Sequence, residues 1–98
     1  MIEACYEIID FIENVPYDDF KTNRQLQLSM VQLLSILGEA ASSTSEEFKT
    51  NHPNLPWKEM IGMRNRIVHG YFDIDLGIVY KTATQEVPEL VKMLREVQ

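Results

Sequence analysis

Cysteine is nearly absent from this chain of 98 residues, because Cys5 is the only one. A single cysteine excludes both an intramolecular disulfide and a metal site built from several thiolates. On a helix, a lone thiol is most often a small core residue. The cysteine content therefore favours a reduced protein, and we expect it to be cytoplasmic.

Long apolar runs are missing too, and so is a basic start. Met1 leads directly into "IEACYEIIDFIEN", which carries acidic residues throughout, so we predict no signal peptide. No apolar run approaches the roughly 20 residues that a membrane-spanning helix needs. With 45% apolar and 24% charged residues, the composition is that of a soluble globular domain that does not enter a membrane.

Positive charge is scarce, since 9 basic residues stand against 15 acidic ones and the net charge is −6. We therefore expect no broad basic surface for nucleic acid, and any phosphate chemistry must come from a local cluster. Asp73 and Asp75 are interpreted as turn and cap residues. His52 is interpreted as a loop residue, with no second histidine at metal-ligand spacing. We predict no metal site and no cofactor.

Apolar periodicity predicts a single all-α domain over residues 1–98, because no β-alternation persists anywhere. Four segments carry helical spacing: residues 2–14, 23–44, 56–69 and 75–97. Pro16 closes the first helix, Gly70 offers the left-handed stop of the third, and Pro88 predicts a kink or a restart in the fourth. The predicted fold is an antiparallel bundle of four main helices.

The third helix carries an unusual arginine. A projection at about 100° per residue puts Trp57, Ile61 and Val68 in one apolar stripe, with Met60 on its flank. Arg64 falls in the middle of this stripe. Its guanidinium either pairs with a buried carboxylate such as Glu39, or lies in a cleft where a cation is needed.

Four further polar residues surround this position. Arg66 is predicted on the opposite, solvent side, where it is a candidate RNA contact, while Asn65 and His69 stack at the edge of the stripe. Taken singly, His69 is explained as a helix C-cap and Tyr71 as a core aromatic with a solvated hydroxyl. Taken together, an arginine for phosphate, a histidine for proton transfer and an orienting asparagine suffice for metal-free RNA cleavage.

The stretch "RNRIVHGY" resembles the arginine, four residues, histidine, one residue, tyrosine motif of the HepT-like toxins, a branch of the HEPN ribonuclease superfamily. The flanking "LPWKEMIGMRN" and "DLGIVY" agree in order and spacing, and the resemblance extends over nearly the whole chain. The first helix starts later than the resemblance implies.

The resemblance implies an all-helical homodimer whose two sites face each other across the interface. It implies that Arg64 and His69 are the catalytic pair of an RNA endonuclease, with Asn65 in support. It also implies that Tyr71 is modified with AMP by a cognate MntA-like minimal nucleotidyltransferase, the antitoxin. Added AMP would place anionic phosphate and bulk beside the arginine, in competition with RNA.

Two other interpretations remain open. The first is a non-catalytic helical adaptor that binds a nucleotide or presents Tyr71 to a nucleotidyltransferase. The second is a merely structural dimer in which Arg64 pairs with Glu39. A dimer is expected in any case, because an arginine within an apolar stripe is poorly accommodated in a monomer. Leu28 and Val31, which lie off the core stripe of the second helix, are candidates to extend that contact.

Overall fold

The computed structural model describes residues 1–68 and 73–97, and these residues are mainly helical. The α-helices are α1 (Ile2–Ile12), α2 (Tyr17–Phe20), α3 (Arg24–Ser42), α4 (Glu46–Asn51), α5 (Trp57–Ile61), α6 (Met63–Ile67), α7 (Leu76–Lys81) and α8 (Val87–Val97), with a π-helical turn at Thr82–Glu86 between the last two. Within the described ranges, β-structure is limited to one isolated antiparallel bridge between Val68 and Ile74. The all-α prediction is confirmed.

Helix α3 is the central element of the core. Asn23 caps its start by accepting a hydrogen bond from the Leu26 amide at 3.0 Å, as asparagine does at many N-caps. The apolar stripe predicted for this segment is largely buried, with Met30, Leu34 and Leu37 fully inaccessible to solvent. Full burial of side chains of this size stabilises a fold by roughly 1.5–3 kcal/mol each.

The other core elements pack around α3. Helix α1 contributes Cys5, Ile8 and Ile12 and packs against both α3 and α8. Helix α8 packs against α1 and contributes Leu90 and Leu94 to the core, while α3 also packs against α5 and α6. None of the helices in the described part of the chain combines the length and hydropathy needed to cross a bilayer.

The predicted third helix is in fact two short helices, which corrects the expectation of one helix from Pro56 to His69. Gly62 ends α5 and begins α6, and α6 ends at Ile67, where Val68 turns to extended backbone. The buried face consists of Met60, Met63 and Ile67. The predicted stripe lies beside this face: Trp57 and Val68 are partly buried and pack against the core, whereas Ile61 is 42% exposed.

The fourth predicted helix is interrupted as expected. Asp75 caps α7 by accepting a hydrogen bond from the Ile78 amide at 3.1 Å, which confirms its predicted capping role. The irregularity predicted at Pro88 takes the form of the π-helical turn that precedes α8. Proline has no amide hydrogen to donate to the preceding turn, and a π turn is one way in which a helix accommodates that loss.

Candidate functional site

Helix α6 carries the candidate site and is too short to be stable by itself. The Gly62 carbonyl oxygen accepts hydrogen bonds from the amides of Asn65 at 3.1 Å and Arg66 at 3.3 Å. These two bonds form the first turn of α6. Met63 and Ile67 anchor it in the core, with exposed fractions of 4% and 0%. The position of α6 thus depends on its neighbours rather than on helix propensity.

Arg64 is exposed and does not lie within a buried apolar stripe, contrary to the prediction. Within residues 1–68 and 73–97, no carboxylate lies within ion-pairing distance of its guanidinium. The alternative pairing with Glu39 is therefore not formed, and Glu39 is itself exposed. The rotation of the core face explains the difference, since Met60, Met63 and Ile67 rather than Arg64 face α3.

The surface around Arg64 is partly apolar. Ile61, one turn earlier in the chain, is 42% exposed, and Trp57 and Val68 are half-buried. Asn65 is exposed beside Arg64. The structure thus brings a guanidinium and an amide side chain together on one exposed edge, with an apolar side chain close by in sequence.

Arg66 has a partner that the sequence did not suggest. Its Nη1 and Nη2 atoms lie 3.3 Å and 3.4 Å from the two carboxylate oxygens of Glu86. The hydroxyl of Thr82 lies 3.5 Å from the same carboxylate. Arg66 was predicted on the solvent side, whereas it is half-buried against the π-helical turn.

Backbone contacts join the end of α6 to the described residues that precede α7. Val68 and Ile74 form the isolated bridge, and the Asp75 amide donates to the Ile67 carbonyl at 2.8 Å. The predicted site residues His69 and Tyr71, together with Gly70, lie outside the described residues. Their roles stay predictions.

The contacts of His52 connect it to the two neighbouring helices, α4 and α5. Its Nδ1 lies 2.9 Å from the Phe48 carbonyl oxygen, and its ring stacks on Phe48 with centroids 4.2 Å apart. The Trp57 indole donates to the His52 carbonyl at 2.9 Å. These contacts fix the connection between α4 and α5, from which α6 continues.

Arg64 does not line any of five clefts in the described residues. A cleft of about 480 Å³ lies instead between the end of α1 and the π-helical turn, and its lining includes Ile12, Val15, Tyr80 and Pro88. Among the described residues, no group of three or more His, Cys, Asp or Glu side chains is arranged to hold a metal ion.

Comparison with known proteins decides the family. The family model described as "Ribonuclease HepT-like" matches residues 1–97. The chain belongs to the HepT-like ribonuclease family. The resemblance inferred from the motif around Arg64 is thereby confirmed at the level of the family.

Individual relatives agree with this assignment. The chain is 34% identical over 92 residues to a protein of Methanocaldococcus jannaschii named "Putative RNase MJ1380", covering 94% of this chain and 84% of the relative. It is also 34% identical over 88 residues to a protein of Thermococcus cleftensis named "Probable ribonuclease HepT", covering 90% of this chain and 80% of the relative. No solved structure is significantly similar to this HepT-like chain.

Proposed function

We propose that this chain is the toxin component of a toxin–antitoxin system and that it cleaves RNA, either tRNA or mRNA, internally and without a metal ion. Membership of the HepT-like family supports the ribonuclease activity. The observation that carries the proposal is the exposed Arg64, whose guanidinium has no ion-pair partner within the described ranges. An exposed cation of this kind is free to bind phosphate.

The proposed reaction is transesterification. His69 removes the proton from a ribose 2′-hydroxyl, since histidine is the side chain that ordinarily exchanges protons near neutral pH. The 2′-oxygen then bonds to phosphorus while the 5′-oxygen leaves and accepts a proton, which yields a 2′,3′-cyclic phosphate and a 5′-hydroxyl end. Arg64 offsets the charge that develops on the phosphate oxygens, and Asn65 orients the reacting groups.

The proposal includes a homodimer, and exposed apolar side chains support it. Ile61 is 42% exposed and Leu28 is 47% exposed, while Val31 is half-buried. A symmetric contact over Ile61 would place both copies of Arg64 near one groove. A single RNA strand would then meet two sites, although the surface as a whole is acidic.

Regulation by a nucleotidyltransferase completes the proposal. The hydroxyl of Tyr71 attacks the α-phosphorus of ATP on the MntA-like antitoxin, which forms a phosphodiester bond to AMP and releases pyrophosphate. Tyr71 follows His69 closely in the chain, so the added phosphate would compete with RNA for Arg64. The modified protein would then no longer be toxic.

The test is cleavage of RNA by the purified chain in the presence of EDTA, followed by analysis of the product ends. We expect 2′,3′-cyclic phosphate ends, and a loss of about 10²-fold or more in rate for Arg64→Ala and for His69→Ala. Arg24→Ala is the matched control, because Arg24 is an exposed arginine far from the candidate site. It lies at the start of α3, about 20 Å along that helix from Gly38. Gly38 is the point at which α5 crosses α3.

Each contrary result has a distinct meaning. Loss of cleavage in EDTA would overturn the metal-independent mechanism while leaving the ribonuclease activity intact. A wild-type rate in Arg64→Ala or His69→Ala would remove that residue from the site. RNA that is bound but left intact by the wild-type protein would favour the non-catalytic adaptor.

A further inference from the structure

The two arginines of α6 have opposite environments. Arg64 is exposed without an ion-pair partner among the described residues, whereas Arg66 faces both carboxylate oxygens of Glu86 at 3.3 Å and 3.4 Å. Two parallel contacts of this kind constrain the orientation of a guanidinium as well as its position. Both side chains keep some solvent exposure, 37% for Arg66 and 41% for Glu86.

The location of Glu86 follows from the irregular helix that carries it. Thr82 and Glu86 are the first and last residues of the π-helical turn. A π turn holds more residues than an α turn, so it rotates the side chains that follow it relative to a continuous helix. Thr82 is fully buried, and its hydroxyl lies 3.5 Å from the Glu86 carboxylate. The carboxylate of Glu86 is therefore contacted by Thr82 from its own helical turn as well as by Arg66.

Helix geometry connects this pair to Arg64. Side chains two residues apart on an α-helix point about 160° away from each other. Tying Arg66 to the π-helical turn thus turns Arg64 toward solvent. Met63 and Ile67 turn one face of α6 into the core, and the contact of Arg66 with Glu86 adds a lateral restraint on the rotation of α6 about its axis.

We propose that Arg66 and Glu86 form a positioning pair, which fixes the rotation of α6 and thereby directs Arg64 at the RNA phosphate, and that Arg66 does not itself contact RNA. The proposal rests on the proposed function, because the direction of Arg64 matters only if Arg64 meets the reacting phosphate. It replaces the RNA contact considered for Arg66. Glu86 engages both terminal nitrogens of Arg66 and offsets its charge, which weakens the attraction of Arg66 for a phosphate.

Three variants test the pair: Arg66→Ala, Glu86→Ala and the charge-swapped double variant Arg66→Glu, Glu86→Arg. Cleavage of bulk tRNA gives kcat and KM. Binding of a short 2′-O-methyl RNA, which has no free 2′-hydroxyl to react, is measured over a range of salt concentrations. We expect each single variant to lower kcat by about tenfold or more with unchanged RNA affinity and salt dependence. The swapped variant should recover much of that loss.

Glu89→Ala is the matched control. Glu89 lies on α8 close to Glu86 in sequence, and its partner is the exposed Lys92 at 3.2 Å rather than a residue of α6. Removing it changes the net charge as Glu86→Ala does, so its kcat should stay at the wild-type value. A similar loss in Glu89→Ala would mean that charge alone, and not the contact with Arg66, is responsible.

Other outcomes overturn the proposal. If Arg66 contacts RNA, Arg66→Ala weakens binding and reduces the salt slope by about one, while Glu86→Ala frees the arginine and tightens binding. Wild-type kcat in both single variants would also refute a positioning role.

Hydrogen exchange gives a readout that does not depend on cleavage. The amides of Asn65, Arg66 and Val68 are bonded within and around α6, and they should exchange faster in both single variants and recover in the swapped one. If the wild-type chain cleaves no RNA, the proposed function fails, yet exchange still decides whether the pair holds α6. Unchanged exchange in both single variants would refute the pair even in an active ribonuclease.

Discussion

Gly38 lies directly against the carbonyl oxygen of Met60. A Cβ atom at position 38 would be 2.8 Å from that oxygen and 3.8 Å from the Cβ of Met63. The backbone of α3 therefore touches the end of α5, with no side chain between them. This close approach sets the distance at which α5 and α6 cross α3, and so the position of the helix that carries Arg64.

Gly38→Ala should therefore destabilise the protein by about 1–3 kcal/mol, as overpacking at a rigid contact does. The neighbouring atom is backbone and cannot swing away like the end of a side chain. Urea unfolding monitored by circular dichroism measures the effect. Gly77→Ala is the control, because its Cβ would meet the Asp75 Oδ1 at 3.6 Å, an ordinary contact. Equal stability of Gly38→Ala and the wild type would contradict the tight crossing.

The thiol of Cys5 provides a prediction about pH. Cys5 is fully buried, and burial raises its pKa from 9.0 to about 11, against a smaller lowering by the N-terminal ammonium. The unfolded chain therefore releases this proton before the folded protein does. The contribution of the protonated Cys5 thiol to the free energy of unfolding is fully present below about pH 9, and it is lost as the pH rises through about 11.

Between about pH 8 and pH 10.5, the wild-type protein should lose about 2 kcal/mol more of its unfolding free energy than Cys5→Ala loses. Comparing the two proteins removes the contributions of lysine and tyrosine titration, which both share. Urea unfolding at the two pH values measures the difference. An equal decline in both proteins would show that Cys5 does not carry this pH dependence.

Modification should select Tyr71 among the four tyrosines of the chain. Incubation with ATP and a cognate nucleotidyltransferase should add AMP to the wild-type protein, with the added mass mapping to Tyr71 in peptide mass spectra. The hydroxyls of Tyr80 and Tyr6 are already engaged, donating to the Val15 carbonyl at 2.7 Å and accepting from Arg95 at 2.8 Å. Tyr71→Phe should resist modification, whereas Tyr17→Phe should be modified like the wild type. Mass on Tyr6, Tyr17 or Tyr80 would contradict the assignment.

The helical class and the main boundaries could be predicted because local signals determine them. The stripe of α3 repeats over several turns, and its cap at Asn23 is encoded within four residues. Asp75 likewise caps α7 through a residue three positions away. Such contacts depend on short sequence separations, so periodicity and capping preferences are sufficient to find them.

The orientation of the candidate site was harder to predict. Glycine at position 62 divides the third helix, and the core takes Met60 and Met63 rather than Trp57 and Ile61. The helical projection of residues 56–69 assumed one straight helix. Methionine and isoleucine are both often buried, so residue type alone did not show which of them faces the core. The partner of Arg66 was missed because Glu86 is 20 positions away, and only the three-dimensional packing of the π-helical turn against α6 joins them.

The proposed dimer can be tested with two isoleucines that are equally exposed. Ile61 is 42% exposed and Ile36 is 41% exposed, so each would present a similar apolar surface. Ile36 lies two residues before Gly38, which puts it about 160° away from the face of α3 that meets α5. A dimer centred on α5 and α6 should bury Ile61 and leave Ile36 in solvent.

We therefore expect Ile61→Glu to convert the protein to a monomer of 11.4 kDa, because a buried glutamate without a partner opposes association by several kcal/mol. The wild type and Ile36→Glu should both show about twice that mass in sedimentation equilibrium. Loss of cleavage in Ile61→Glu, with retained helicity, would tie activity to the assembly. A dimeric Ile61→Glu would place the contact elsewhere, and dissociation by Ile36→Glu would locate it on the opposite side of α3.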